Sequence, residues 1–300
     1  MSLVIVGSVA FDTIETPCVR KEQIVGGSCT YCALAASYFV RPGIVAVVGD
    51  DFPKETIDFF KKRRIDLQGL KVVPGGKTFH WQGRYGEDPN QRTTIRTDLN
   101  VFQDFRPEIP ASYRKADILF LANIDPDLQE IVFRQVETPK LTAMDTIGLW
   151  IENKREALLR VLKKVDIFFG NDEEIRMITG ERNLIKAGKR ILEMGPSILV
   201  LKKGEHGALV FNRDFLFGCV AHPAENVVDP TGAGDTFAGG FLGYLDKTGL
   251  ITPREIRRAA VYGSVMASFT IEDFGIERYR TLTGRDVRAR YAEFKRLEVF

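Results

Sequence analysis

Short, continuous apolar runs alternate with helix-like stretches through most of this chain, and no other feature narrows its fold as far. "LVIVG" (3–7), "GIVAVVG" (43–49), "DILFLA" (117–122), "KLTAMD" (140–145), "VDIFFG" (165–170) and "SILVLKKG" (197–204) read as strands. Between them lie "SCTYCALAASYF", "FPKETIDFFKKRR", "DLQEIVFRQV", "NKREALLRVLKK" and "NLIKAGKRILEMG", which read as helices. Strands that are apolar on both faces need cover on both faces, so the alternation predicts an α/β domain with a parallel sheet between helical layers. Helices over 233–247, 253–269 and 284–297 close the chain.

One segment breaks the rhythm. "KTFHWQGRYGEDPNQRTTIRTDL" (77–99) alternates in side-chain character around the turn-forming "GEDPN" and shows no helical period. Flanked by "KVVPGG" and "FRPEIP", which read as hinges, it is expected to be a small β-lid near 75–105 inserted in a domain that spans 1–300. The exit of the first strand could join it.

A formal net charge of +2 offers no electrostatic case for nucleic acid or membrane as a partner. No run reaches the roughly 18 apolar residues of a membrane span, and "MSLVIVGSVAFDTIE" lacks a basic start and a cleavage site, so a cytoplasmic protein is expected. The "CTYC" pair, Cys29 and Cys32, has no second C-x-x-C to complete a zinc site, and buried free thiols are expected.

The stretch "DPTGAGDTFAGG" (229–240) carries chemistry. If a helix begins near Ala233, its bare glycines leave the amides of Gly232, Ala233, Gly234 and Asp235 open at a positive helix terminus, which makes a phosphate cradle. Asp235 would repel phosphate, so it reads better as the base for a hydroxyl that receives the phosphoryl group. The helix dipole favours its ionised form, which predicts a weak base and activity persisting below neutral pH. The plain alternative is a glycine-rich turn with an acidic helix cap. Two rival phosphate motifs fail: "PGGKT" (74–78) has Lys71 where a P-loop needs glycine, and "GAGDTF" ends in Phe237 where a dinucleotide fingerprint needs glycine.

"DPTGAGDTFAGGF" resembles the C-terminal signature of the ribokinase-like (PfkB) carbohydrate kinase family. "GSVAFD" (7–12), "VGGSCTYCALA" (25–35), "VAVVGDD" (45–51) and "NDEE" (171–174) resemble its other marks, in order, from residue 3 to about 275. The resemblance implies a ribokinase-like three-layer sandwich, its mostly parallel central sheet covered by helices. It also implies ATP-dependent transfer to a primary hydroxyl of a sugar or sugar derivative. A nucleoside is the alternative acceptor, and a catalytically silent ligand-binding regulator is a third reading.

The resemblance further implies that Asp235 would be the catalytic base over an anion hole of the Gly232–Asp235 amides, and that Asp12 with the Gly26, Gly27 turn would hold substrate hydroxyls. A vicinal diol suits Asp12. Asn171 and Glu174 could order the waters of a Mg2+ ion on ATP, or simply form a helix cap. Lys202, Gly204 and Gly207, with Thr231, fit the nucleotide side; taken alone, "LKKGEHGALVF" is a hairpin turn. Tyr31 stands where the signature usually has Asn, and Ser28 where ribokinase has a basic residue, so a simple ribokinase is not expected. Phe79, Trp81 and Tyr85 alternate along the lid and could cover the acceptor or pack, including in a lid-to-lid homodimer. The usual Asn is missing around Tyr262 and Gly263 and "FTIEDFG" is long, which leaves nucleotide preference and a monovalent cation open.

Overall fold

The apolar runs become the buried strands of one sheet. The computed structural model describes residues 2–88 and 92–297. The chain begins with β1 (Leu3–Val6), β2 (Ala10–Glu15), β3 (Arg20–Gly26), α1 (Ser28–Ala36), β4 (Gly43–Gly49), α2 (Lys54–Lys62), β5 (Asp66–Val73), β6 (Phe79–Tyr85) and β7 (Arg92–Asp98). After β8 (Ile118–Leu121) come α3 (Pro126–Phe133), β9 (Leu141–Met144), α4 (Gly148–Asn153), α5 (Arg155–Leu162), β10 (Ile167–Asn171), α6 (Asp172–Thr179), α7 (Leu184–Glu193) and β11 (Ile198–Lys202). The hairpin β12 (Ala208–Asn212) and β13 (Leu216–Cys219) precedes α8 (Ala233–Thr248), α9 (Pro253–Thr270), α10 (Glu277–Thr281) and α11 (Gly284–Leu297).

The large sheet runs β13-β12-β11-β10-β9-β8-β1-β4-β5, parallel from β11 to β5, with β12 and β13 antiparallel at one edge. Each central strand sends alternate residues into two separate cores. Ile5, Phe120 and Phe169 join the layer of α1, α8 and α9; Val6, Leu121 and Phe168 join the opposite layer.

A separate sheet has the order β3-β2-β6-β7, with β2 and β6 parallel and both edges antiparallel. Residues 10–26 therefore supply half of a sheet that the 77–99 pattern alone suggested was a hairpin. The expected turn at 86–90 lies partly outside the described residues, at Pro89 and Asn90. "KVVPGG" is only partly a hinge: Lys71, Val72 and Val73 finish β5, whose mixed exposure as an edge strand hid its period.

α1 is buried at every residue. It meets α8 backbone to backbone: a β-carbon on Gly239 would lie 2.2 Å from the Cys32 carbonyl oxygen, and one on Gly243 2.9 Å from the Ala36 Cα. Cys29 Sγ donates to the Ile5 carbonyl at 3.6 Å, and burial pushes both the Cys29 and Cys32 thiols up. Among the described residues no helix is long and apolar enough to cross a membrane.

Candidate active site

Asp145, Asn171 and Lys202 sit at the C-terminal ends of β9, β10 and β11, the rim where open α/β sheets bind ligands. The start of α8 faces the same rim. Gly232 caps α8 in the left-handed region, φ 78°, with no side-chain cap. A β-carbon there would lie 2.3 Å from Tyr31 Cδ2, so both the dihedral and the space require glycine. The Ala233 amide donates to the Pro230 carbonyl at 3.2 Å and is therefore engaged. The Gly234 and Asp235 amides have no acceptor among the described residues, as the first turn of a helix dictates. Beside them opens a largely apolar cavity of about 220 Å³, walled in part by Lys202, Gly204, Gly207, Gly234 and Phe237. Gly204 and Gly207 both take positive φ, 54° and 76°, in the turn between β11 and β12.

Charge concentrates at this rim. Lys202 Nζ lies 2.6 Å from Asp145 Oδ2, and a β-carbon on Gly234 would be 3.0 Å from that ammonium. Burial opposes the Lys202 charge, yet the Asp145 and Glu174 carboxylates hold it above the ordinary lysine value. Desolvation pushes Asp235 up to about 7; Asp145 adds to the rise, while Lys202 and Arg92 oppose it. This corrects the expectation of a weak base. The helix dipole acts locally, whereas burial beside a second carboxylate is a tertiary effect of opposite sign, and the tertiary effect wins.

Asn171 and Glu174 form a reciprocal cap on α6. Asn171 Oδ1 accepts the Glu174 amide and Glu174 Oε2 accepts the Asn171 amide, each at 2.8 Å. Glu174 is pushed up to about 7 by burial and by Asp145. The cap commits one of its carboxylate oxygens and leaves the other for a ligand. Among the described residues no three carboxylate, His or Cys groups converge as a metal cage. One or two carboxylates suit Mg2+, which takes most of its remaining ligands from phosphate and water.

Across the cleft, Asp12 is 4% exposed on β2, and its carboxylate accepts no hydrogen bond from the described residues. Burial raises its carboxyl well above the usual range, with Asp229 and Asp235 adding to the rise. A β-carbon on Gly26 would stand 1.9 Å from Asp12 Oδ2, so that glycine makes room for the acid; Gly27, φ 97°, starts α1. Trp81 pairs in register with Asp12 across the β2–β6 seam, so both project from one face. Arg92 lies over its indole, 5.6 Å from the ring centroid. Phe79 stacks on Phe102 at 5.3 Å and is occupied in packing. Tyr31 is 1% exposed and lies beneath Gly232 and beside Gly26, its hydroxyl without a hydrogen-bond partner among the described residues.

Two groups carry no role in the sequence reading, and a third has a different one there. Asp145 closes an apolar strand run, a signal that was present in "KLTAMD" and passed over. Asp229, 1% exposed, accepts the Thr231 amide at 2.9 Å and so shapes the turn before the cradle. Tyr85 was read only as a lid aromatic; its hydroxyl meets Thr231 Oγ1 at 2.9 Å, a contact between residues 146 apart in sequence.

With this geometry in place, similarity to known proteins is informative. The pfkB family carbohydrate kinase pattern matches residues 3–278. Cytidine kinase of Thermococcus kodakarensis is 33% identical over 248 residues, 81% of this chain and 87% of that protein. Nucleoside kinase of Methanothermobacter thermautotrophicus is 28% identical over 302 residues, 95% of this chain and 94% of that protein. The crystal structure of Methanocaldococcus jannaschii nucleoside kinase, 20% identical, shares the fold with a TM-score of 0.76 and covers 98% of this chain and 99% of its own. Near-complete coverage by one family, together with the ribokinase-like sheet order, leads to one conclusion: the chain belongs to the pfkB family of carbohydrate kinases and is an ATP-dependent kinase of a sugar or a nucleoside.

Proposed function

We propose that the acceptor is a ribonucleoside, phosphorylated on its primary hydroxyl. The observation that carries this reading is the pairing of Asp12 with Trp81 on one face of the smaller sheet. An acid with no hydrogen-bond donor among the described residues suits two neighbouring ribose hydroxyls, and an indole beside it suits a base plane. The names of the two curated relatives above point the same way. A sugar is the second reading, because Asp12 accepts any vicinal diol.

In this scheme Asp235 accepts the proton of the attacking hydroxyl, and the Gly234 and Asp235 amides, with Gly232 holding the turn, stabilise charge on the transferring phosphoryl group. Lys202, Thr231, Gly204 and Gly207 border the nucleotide. Glu174 and Asp145 would hold the waters of Mg2+, which neutralises phosphate charge when bound. Gly26 and Gly27 shape the acceptor turn.

Thermal stabilisation by matched sugars, sugar acids and nucleosides tests the assignment, since a ligand at 100 times its Kd adds about 2.7 kcal/mol. Nucleosides should stabilise most, and their 2-deoxy or 3-deoxy forms should lose about 1 to 3 kcal/mol of binding as Asp12 goes partly unpaired. Stabilisation by sugars alone would overturn the nucleoside assignment; equal stabilisation by deoxy forms would overturn the diol.

A further inference from the structure

The smaller sheet touches the phosphate cradle at one polar point. β6 is pinned at its base, where Thr78 donates to Asp51 Oδ1 from its hydroxyl at 2.6 Å and from its amide at 2.9 Å, and accepts the Gly49 amide at 3.1 Å. Asn100 Nδ2 donates to the Thr78 carbonyl at 2.9 Å, which pins the returning chain as well. At roughly 3.3 Å per residue, Tyr85 lies about 23 Å further along the strand. There its hydroxyl meets Thr231 Oγ1 at 2.9 Å, buried on both sides. Among the described residues this is the one hydrogen bond from β6 or β7 to anything outside the smaller sheet. Gln82 and Arg84 bond Glu15 within that sheet, and Trp81 bonds Thr94.

We propose that Tyr85 is a positioning residue: its bond to Thr231 latches the β6–β7 lid shut and sets the turn that presents the Gly234 and Asp235 amides. This deepens the kinase reading and rests on it. Thr231 directly precedes Gly232, whose left-handed conformation begins α8, and its amide is already fixed by Asp229. A tie on its hydroxyl removes the remaining freedom of the turn. Closure over the acceptor and completion of the cradle are then one event, and water is excluded before the phosphoryl group is fully stabilised. A phenol suits such a latch because the ring seals the cleft edge while the hydroxyl makes a single bond that is broken at modest cost on opening.

The test compares Tyr85→Phe, Thr231→Val and the double variant with the wild type. Each single change should lower kcat/KM for the acceptor about three- to thirtyfold, the range for losing one buried neutral hydrogen bond, and should raise ATP hydrolysis relative to transfer. The double variant should be no worse than the poorer single one, because both remove the same bond. Multiplying losses, or an unchanged ratio of hydrolysis to transfer, would overturn the latch and leave Tyr85 as packing. Amide hydrogen exchange without any substrate gives a second arm: β6 and β7 should exchange several-fold faster in Tyr85→Phe, with α1 and β8 unchanged. Uniform acceleration, or none, counts against the latch. If the wild type phosphorylates no sugar or nucleoside, the kinase reading itself fails, and the exchange arm still decides the latch.

Discussion

Removing the Asp145 carboxylate without removing its shape should move the pH dependence of turnover in a direction fixed by the structure. Asp235 is pushed up to about 7, first by desolvation and then by Asp145, with Lys202 opposing. For a base with that value, about 9% is ionised at pH 6 and about 91% at pH 8, so kcat/KM for the acceptor should fall roughly tenfold across that interval. Asp145→Asn keeps a hydrogen-bond acceptor for Lys202 Nζ, now 2.6 Å from Oδ2, but deletes one negative charge and leaves the ammonium facing only the Glu174 and Asp235 carboxylates. Both changes favour ionised Asp235, so the acid limb must move to lower pH. If it moves by about one unit, the fall from pH 8 to pH 6 shrinks to about twofold. The assay is direct chromatographic measurement of phosphorylated product at limiting acceptor and saturating ATP, between about pH 5 and 9, with each variant scaled to its own plateau. Glu174, also near 7, is the control: Glu174→Gln should lower the plateau and leave the midpoint in place. An acid limb that stays put in Asp145→Asn, or moves upward, refutes the assignment of Asp235 as the titrating base and of Asp145 as its neighbour in charge.

Two further substitutions probe the opposite sides of the cleft. Asp235→Asn should retain ATP binding by calorimetry while kcat drops by about 10² to 10⁴; near-normal turnover would take Asp235 out of the mechanism. Gly26→Ala places a β-carbon 1.9 Å from Asp12 Oδ2, so the acid must shift. The acceptor KM should rise at least about tenfold with the KM for ATP little changed, and parallel rises in both would mean that the damage is to the fold instead.

The parallel sheet was legible because buried strands cannot hide their apolar continuity, and the open amides of Gly234 and Asp235 because a helix beginning after bare glycines leaves its first donors uncovered. β5 was missed for the opposite reason: as an edge strand with mixed exposure it carries Lys71 and Val72 outward and loses its pattern. The pairing of β2 with β6 has no local signature either, since parallel neighbours this far apart meet only in the folded chain. Asn171 and Glu174 show the limit within a motif: the four residues encode a cap, which the structure forms, and the proposed use of the remaining Glu174 oxygen toward a cation leaves no separate mark in sequence. The upward shift of Asp235 runs against the helix-terminus expectation because a terminus is visible in sequence, whereas burial of the carboxyl, the larger cause, and the Asp145 carboxylate brought in from β9 are not.

The contact between α1 and α8 has a consequence for temporal precision. α1 begins at the Gly26–Gly27 turn and α8 at Gly232, the proposed acceptor and phosphate sides, and they meet through glycine backbone where neither side has a rotamer to exchange. Side-chain packing breathes by rotamer hopping on fast timescales; main-chain contact at Gly239 and Gly243 has no such soft coordinate. If the proposed function holds, the starts of both helices that would carry acceptor and phosphate share a joint with no side-chain slack, and misplacement of reacting groups by about 1 Å can cost 10²-fold in rate.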